Sequence, residues 1–179
     1  TNKFNYVFEA SSHALNQDRI EKFPINIAAI TNITHDHLDY HKTFSNYKNA
    51  KFKLFRKYLD TDGIAIINSK IQDLKSLLNS IKKRKINYLI YGKNNFLFKS
   101  KKNRLNFIIN KNNFNLKKLQ LTEFEKQNLE CAISCCLQLK IDISKIIKSL
   151  YKIKSPPGRS EKINCNKISS KIIIDYAHT

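Results

Sequence analysis

Ile25-Asn26-Ile27-Ala28-Ala29-Ile30-Thr31-Asn32-Ile33-Thr34-His35-Asp36-His37-Leu38-Asp39-Tyr40-His41 is the stretch that decides how this chain folds. An apolar, β-branched run, broken by polar Thr31-Asn32, passes straight into a dense cluster of histidines and aspartates. The run suits a buried strand and is far too short to cross a membrane. In an open α/β sheet, ligands bind beyond the carboxyl ends of the strands, where this cluster would stand.

The neighbouring segments fit the same plan. Upstream, Asn5 to Phe8 reads as the end of a short buried strand, with Glu9-Ala10-Ser11-Ser12 as the loop leaving it. Downstream, Tyr47, Ala50, Leu54 and Tyr58 fall on one side of a helix. Asp62-Gly63 predicts a turn, and residues 64–67 a strand. Ile71, Leu74, Leu77, Leu78 and Ile81 form the stripe of an amphipathic helix. Asn87 to Tyr91 predicts another strand, closed by Gly92. Strands alternating with helices predict a mostly parallel, doubly wound α/β sheet.

From Phe96 to Leu121 apolar pairs alternate with Asn and Lys. This predicts two or three short strands, antiparallel and at an edge. Thr122 and Glu125 predict a capping box that opens a helix running to about Leu139. A second helix, near 144–151, precedes Ser155-Pro156-Pro157-Gly158, the strongest boundary signal in the chain. Residues 1–155 are therefore expected to form one domain. Residues 156–179 are expected to start another, with a first strand at 168–176.

The 179 residues carry a net charge of +19, from 33 Lys+Arg against 14 Asp+Glu. Nucleic-acid binding is one source of such a charge. An AT-rich genome is another, because it inflates Lys, Asn and Ile together, and all three abound here. The lysines are spread along the chain, and the densest run, Lys82-Lys83-Arg84-Lys85, sits where a helix should end and suits its dipole. The expected partner is a polyanionic small molecule such as a nucleotide, with no nucleic acid and no membrane. A hydrophobic content of 41% excludes a disordered tail. With no signal-like start, a soluble, cytoplasmic monomer is expected. The chain contains no Met and begins at Thr1, which predicts an internal piece of something longer. Cys131, Cys135, Cys136 and Cys165 lack CxxC spacing, and reduced, mostly buried thiols are expected.

Glu9 and the cluster from His35 to His41 both follow strand-like runs and should face one crevice. A carboxylate with an imidazole suits Mg²⁺ or Mn²⁺ beside phosphates. His35, His37 and His41 also leave a zinc hydrolase open, with Glu9 as a further group. Some of these side chains must instead cap the next helix or bond backbone.

Four ordered blocks then carry a resemblance. They are Glu9-Ala10-Ser11-Ser12-His13-Ala14-Leu15; Thr31-Asn32 with Asp36-His37-Leu38-Asp39-Tyr40-His41; Ala50-Lys51; and Gly158-Arg159-Ser160-Glu161 with Asp175-Tyr176-Ala177-His178-Thr179. Together they resemble the Mur ligases, and among them the branch that adds the third peptide residue of peptidoglycan. The resemblance covers nearly the whole chain. It implies the Mur ligase central domain without its phosphate-loop part, plus the first strand of a C-terminal Rossmann-like domain.

The resemblance implies an ATP-dependent amide-bond-forming ligase. Such an enzyme activates the terminal carboxylate of UDP-N-acetylmuramoyl-L-Ala-D-Glu as an acyl phosphate, which the amine of diaminopimelate or lysine attacks. Developing negative charge must be neutralised by cations, which makes ATP and Mg²⁺ the implied cofactors. Glu9, His37 and Lys51 match the family's metal-binding positions, and Lys51 matches the lysine that the family carbamylates. Carbamylation needs a neutral amine, hence a site that depresses the lysine pKa. Ser11, Gln17 and Arg19 match contacts to the UDP-muramoyl substrate. Asn128, Arg159 and Asp175 match positions near ATP, and His178 shares the block with Asp175.

Two departures stand out. Where the family usually has Gly-x-Phe-Asn-x-x-Asn, this chain has Thr122-Glu123-Phe124-Glu125-Lys126-Gln127-Asn128, which puts the adenine contact in question. No Gly-x-x-Gly-Lys-Thr phosphate loop is present among the three glycines, so residues 1–179 alone are expected not to turn over. The rival readings are a folylpolyglutamate-type ligase of the same superfamily, which typically lacks the Ser-Ser-His block, and a basic α/β module that binds nucleic acid.

Overall fold

In the computed structural model, the described residues are 5–92, 98–101, 104–109, 112–115, 121–153, 156–158, 161–163 and 172–176. The central feature is a parallel sheet of three strands, β1 (Ile25–Ile30), β2 (Leu59–Asn68) and β3 (Asn87–Tyr91), in the order β1-β2-β3. Parallel neighbours need crossovers. The first runs through α2 (Leu38–His41), α3 (Phe44–Lys53) and a π-helical turn, Leu54–Tyr58. The second runs through α4 (Leu74–Lys83). A short helix, α1 (Ser12–Asn16), precedes β1.

Both faces of this sheet are covered. Ala28, Ile30, Ala65 and Ile67 pack with Tyr47, Phe52, Phe55, Leu77 and Ile81. Ile27, Ala29, Ile66, Leu89 and Tyr91 pack with Cys131 and Cys135 of α5 (Glu123–Gln138). Alternate residues of each strand therefore face different helices, as a doubly wound sheet requires. Burying each of Phe52, Phe55 and Leu77 completely contributes about 2 kcal/mol.

Two local expectations are corrected. Asp62-Gly63 is no turn, because β2 runs through it. The register jumps from Ile25 opposite Leu59 to Ile27 opposite Ile64, so the extra residues bulge out of the ladder. A Cβ at Gly63 would lie 2.7 Å from the Asn26 carbonyl oxygen and 2.8 Å from Leu59 Cδ1. The glycine is thus set by a close approach across the sheet. Residues 5–8, expected as a buried strand, lie outside any strand and are exposed, with Val7 at 94%. An apolar run is buried only where something packs on it, and no described strand pairs with this one.

The segment after Gly92 forms a separate antiparallel sheet of β4 (Phe98–Lys101), β5 (Arg104–Ile109) and β6 (Asn112–Asn115). The capping box is present: Thr122 Oγ1 accepts from Glu125 N, and Glu125 Oε2 accepts from Thr122 N at 2.8 Å. It stands where the glycine and asparagine of the expected adenine motif would be.

The chain divides into two compact units, residues 1–141 and 142–179. The second holds α6 (Ile143–Leu150) and an antiparallel pair, β7 (Glu161–Ile163) and β8 (Ile172–Ile174). This contact division falls ahead of the boundary expected at 155/156. Gly158, at φ +68°, lies beneath the Tyr176 ring, and its N–H donates to Glu161 Oε2 at 2.8 Å. No described helix is long and apolar enough to cross a membrane. Cys131, Cys135 and Cys136 are free thiols, of which Cys131 is buried; Cys165 lies outside the described residues.

The densest basic run has a structural use. Arg84 caps α4 and donates to the carbonyls of Phe55 at 2.6 Å and Leu59 at 2.8 Å, closing the π-helical turn against β2.

Candidate active site

The three parallel strands end side by side, and buried Asn68 ties their ends together. Its amide donates to Thr31 O at 2.8 Å and to Gln127 Oε1 at 3.1 Å, and its carbonyl accepts from Lys70 N. Tyr91 donates its hydroxyl to Ile30 O. Asn68 was missed in the sequence, although a polar residue closing an otherwise apolar strand is a readable signal.

Beyond β1 the chain turns sharply. His37 adopts a left-handed backbone conformation at φ 53°, and its N–H is held by Asp36 Oδ1 at 2.8 Å. Thr43 caps α3 by accepting from Asn46 N, which fixes the phase of the helix. Tyr47 is thereby buried, and Lys51, one turn later, extends over its ring at 5.3 Å.

Lys51 is half-buried. Burial pushes its ammonium below the usual lysine range, against the pull of Asp36 and Glu9, whose charges favour the cation. Burial, with Asp36 second, pushes the Tyr47 phenol up, so it remains neutral. The His37 ring lies 6.4 Å from that of Tyr47, and its Nε2 is 3.4 Å from Asp36 Oδ2. Glu9, Asp36, His37 and Lys51 are therefore neighbours in space or in charge around Tyr47.

The three cluster histidines part ways. His35 stacks on Phe44 at 4.5 Å. His41 turns inward, buried, with Nε2 3.0 Å from Ser12 Oγ. Burial and the charges of His13 and His37 lower the His41 pKa. His37 alone stays with Asp36. Among the described residues, no three His, Cys, Asp or Glu side chains are grouped to hold a metal.

The donor chemistry does suit magnesium under one condition. Glu9 and His37 supply a carboxylate oxygen and an imidazole nitrogen. A carbamate on Lys51 would supply the missing anionic oxygen, and hard oxygen donors are what Mg²⁺ prefers. A lysine held below its usual pKa beside two acids is the chemistry that modification needs.

The expected substrate residues lie next to this group. Ser11 caps α1, its Oγ accepting from Ala14 N at 3.1 Å. Gln17 Nε2 donates to Tyr40 Oη at 3.0 Å, and Asn16 Nδ2 donates to the same oxygen. Arg19 is exposed, and its charge reaches Tyr40. The His13 ring stands 4.1 Å from Tyr40 and 5.0 Å from His37, linking the two. Asn128 is exposed on α5, and Asp175 is exposed just past β8. Arg159 and His178 lie outside the described residues.

Acids, an imidazole and a pKa-depressed lysine thus gather beyond the strand ends of a parallel α/β sheet. In comparison with known proteins, residues 2–136 match the Mur ligase middle domain. The chain belongs to the Mur ligase family.

It is 40% identical over 178 residues to the UDP-N-acetylmuramoyl-L-alanyl-D-glutamate–2,6-diaminopimelate ligase of Rickettsia bellii, covering 96% of this chain and 37% of that protein. It is 35% identical over 181 residues to the ligase of the same name from Fusobacterium nucleatum, covering 99% and 37%. The chain thus spans little more than a third of the length of these relatives. A solved structure of such a ligase superposes with a TM-score of 0.72 at 26% identity, over 95% of this chain and 36% of that one. A pseudomurein peptide ligase type C from Methanothermus fervidus, at 22% identity and TM-score 0.69 over 90% of this chain and 40% of that one, shares the fold.

Proposed function

We propose that the protein carrying this chain is an ATP- and Mg²⁺-dependent ligase of peptidoglycan synthesis. It adds the third residue, diaminopimelate, to UDP-N-acetylmuramoyl-L-Ala-D-Glu in the cytoplasm. The choice of diaminopimelate over lysine rests on the names of the relatives. The observation that carries the reading is Lys51: half-buried over the Tyr47 ring, depressed in pKa, and within reach of the charges of Asp36 and Glu9 in the family's middle domain.

The roles follow from chemistry. The neutral Lys51 amine attacks CO₂; an N–C bond forms, a C=O electron pair moves to oxygen, and the amine proton leaves to water. The resulting carbamate, Glu9 and His37 would hold Mg²⁺, which when bound neutralises charge developing at phosphate. Asp36 holds the His37 backbone and ring in place. Ser11, Gln17 and Arg19 are assigned to grip the anionic muramoyl peptide. Asn128, Arg159 and Asp175 are assigned to ATP. The acceptor carboxylate would take the γ-phosphoryl group of ATP with release of ADP, and the incoming amine would then displace inorganic phosphate from the acyl phosphate, losing its proton to water as the amide forms.

The test supplies ATP, Mg²⁺ and the UDP-muramoyl dipeptide with diaminopimelate and lysine together, and identifies the product by mass. The diaminopimelate tripeptide is expected. Absence of ATP-dependent product with either amino acid overturns the reading.

A further inference from the structure

A cleft lies along α3 and the π-helical turn that follows it, and Lys51 is not among its lining residues. It has a volume of 640 Å³, and its walls include Tyr40, Lys42, Asn46, Asn49, Lys53 and Arg56. Residues 46, 49, 53 and 56 recur at three- and four-residue intervals and so share one stripe, whereas Tyr47 and Lys51 lie on another. None of the lining residues is acidic.

Two of the three charges in this cleft, Arg56 and Lys42, are held by neutral partners. Arg56 donates from Nε to Ser80 Oγ at 3.1 Å, from NH1 to Asn49 Oδ1 at 3.2 Å and from NH2 to Ser76 Oγ at 3.3 Å, with the guanidinium over the Phe52 ring. No described carboxylate forms an ion pair with Arg56. Asp73, whose carboxyl feels its charge, is bonded to Lys48 at 2.6 Å. Lys42 Nζ donates to the Asp39 carbonyl at 2.8 Å, and its backbone is held at φ 64°. Lys53 alone has an acid, Asp18 at 3.2 Å. Three cations converge with amide and phenol groups between them and too little negative charge to balance them. Such a site attracts an anion, and a guanidinium already fixed by neutral acceptors is preorganised for one.

We propose that this cleft binds a small anion through phosphate or carboxylate oxygens, with Arg56 and Lys42 as its charged contacts. Tyr40 joins the cleft to Gln17, so the anion has two possible sources: part of the muramoyl substrate, or a free phosphate. The inference does not depend on the ligase reading.

The test uses the protein as its gene encodes it, with a non-hydrolysable ATP analogue filling the nucleotide site. Inorganic pyrophosphate is the probe, followed by the Arg56 ¹⁵Nε resonance and by calorimetry. The resonance is expected to shift on titration. Arg56→Gln is expected to weaken the Arg-dependent binding by about tenfold, as loss of one close charge pair does. Lys42→Gly removes a cation at a position whose positive φ glycine accepts, and is expected to weaken binding several-fold in a folded protein. Displacement of pyrophosphate by the UDP-muramoyl dipeptide assigns the anion to the substrate; simultaneous binding assigns a free phosphate. No shift of Arg56, or equal Kd values in wild type and Lys42→Gly, overturns the proposal.

Discussion

Lys51 Nζ lies 5.3 Å from the centre of the Tyr47 ring, one helical turn back along α3. A ring face favours a cation, and so do the charges of Asp36 and Glu9, yet the lysine pKa is lowered. Burial outweighs all three. That balance leaves more neutral amine near neutral pH than a solvated lysine has, and neutral amine is the form that takes up CO₂.

A pH-dependent modification follows. With ¹³C-labelled bicarbonate, a carbamate carbon signal should grow as pH rises toward the lowered Lys51 value. Its half-point should fall below the ordinary 10.5. The signal should vanish in Lys51→Ala; a signal that persists there places the carbamate elsewhere.

Asp18 gives a second pH window. The hydroxyl of Tyr58 first, then Lys53, holds its carboxyl at about 2 instead of 3.8. A depressed carboxylate contributes stability above its unfolded value and loses it as pH falls from 3.8 through about 2. Asp18→Asn should lower the melting temperature at neutral pH, with the difference closing by about pH 2. A difference that is constant with pH contradicts an ionic role.

Gly63→Ala tests the bulge. The new methyl would meet Asn26 O at 2.7 Å, and backbone there has little room to yield. A loss of about 2–3 kcal/mol is expected in denaturant unfolding, typical of forced overpacking. A neutral result would mean that β1 and β2 can separate at this point.

Much of the fold was legible. The Thr122–Glu125 box depends on local hydrogen bonds and formed where expected, while the helix read from Ile71 to Ile81 forms as Leu74–Lys83, with Ile71 buried in the turn ahead of it. Asp62-Gly63 was misread because turn chemistry is local, while its actual constraint, Asn26, comes from the neighbouring strand. Tyr6-Val7-Phe8 has the composition of a buried strand, but burial is set by a partner that composition cannot specify. At the site, the motif blocks marked Glu9, His37 and Lys51, whereas the inward turn of His41 onto Ser12 and the bridging role of Asn68 depend on tertiary packing.

The most direct measurement is ligation by the encoded protein and its Lys51→Ala variant, with ATP, Mg²⁺, UDP-N-acetylmuramoyl-L-Ala-D-Glu and diaminopimelate. Wild type should form the tripeptide. Lys51→Ala should lose about a hundredfold or more of the rate, as removal of a metal ligand does, and recover part of it with added short carboxylates. Wild-type rates in Lys51→Ala would contradict the account.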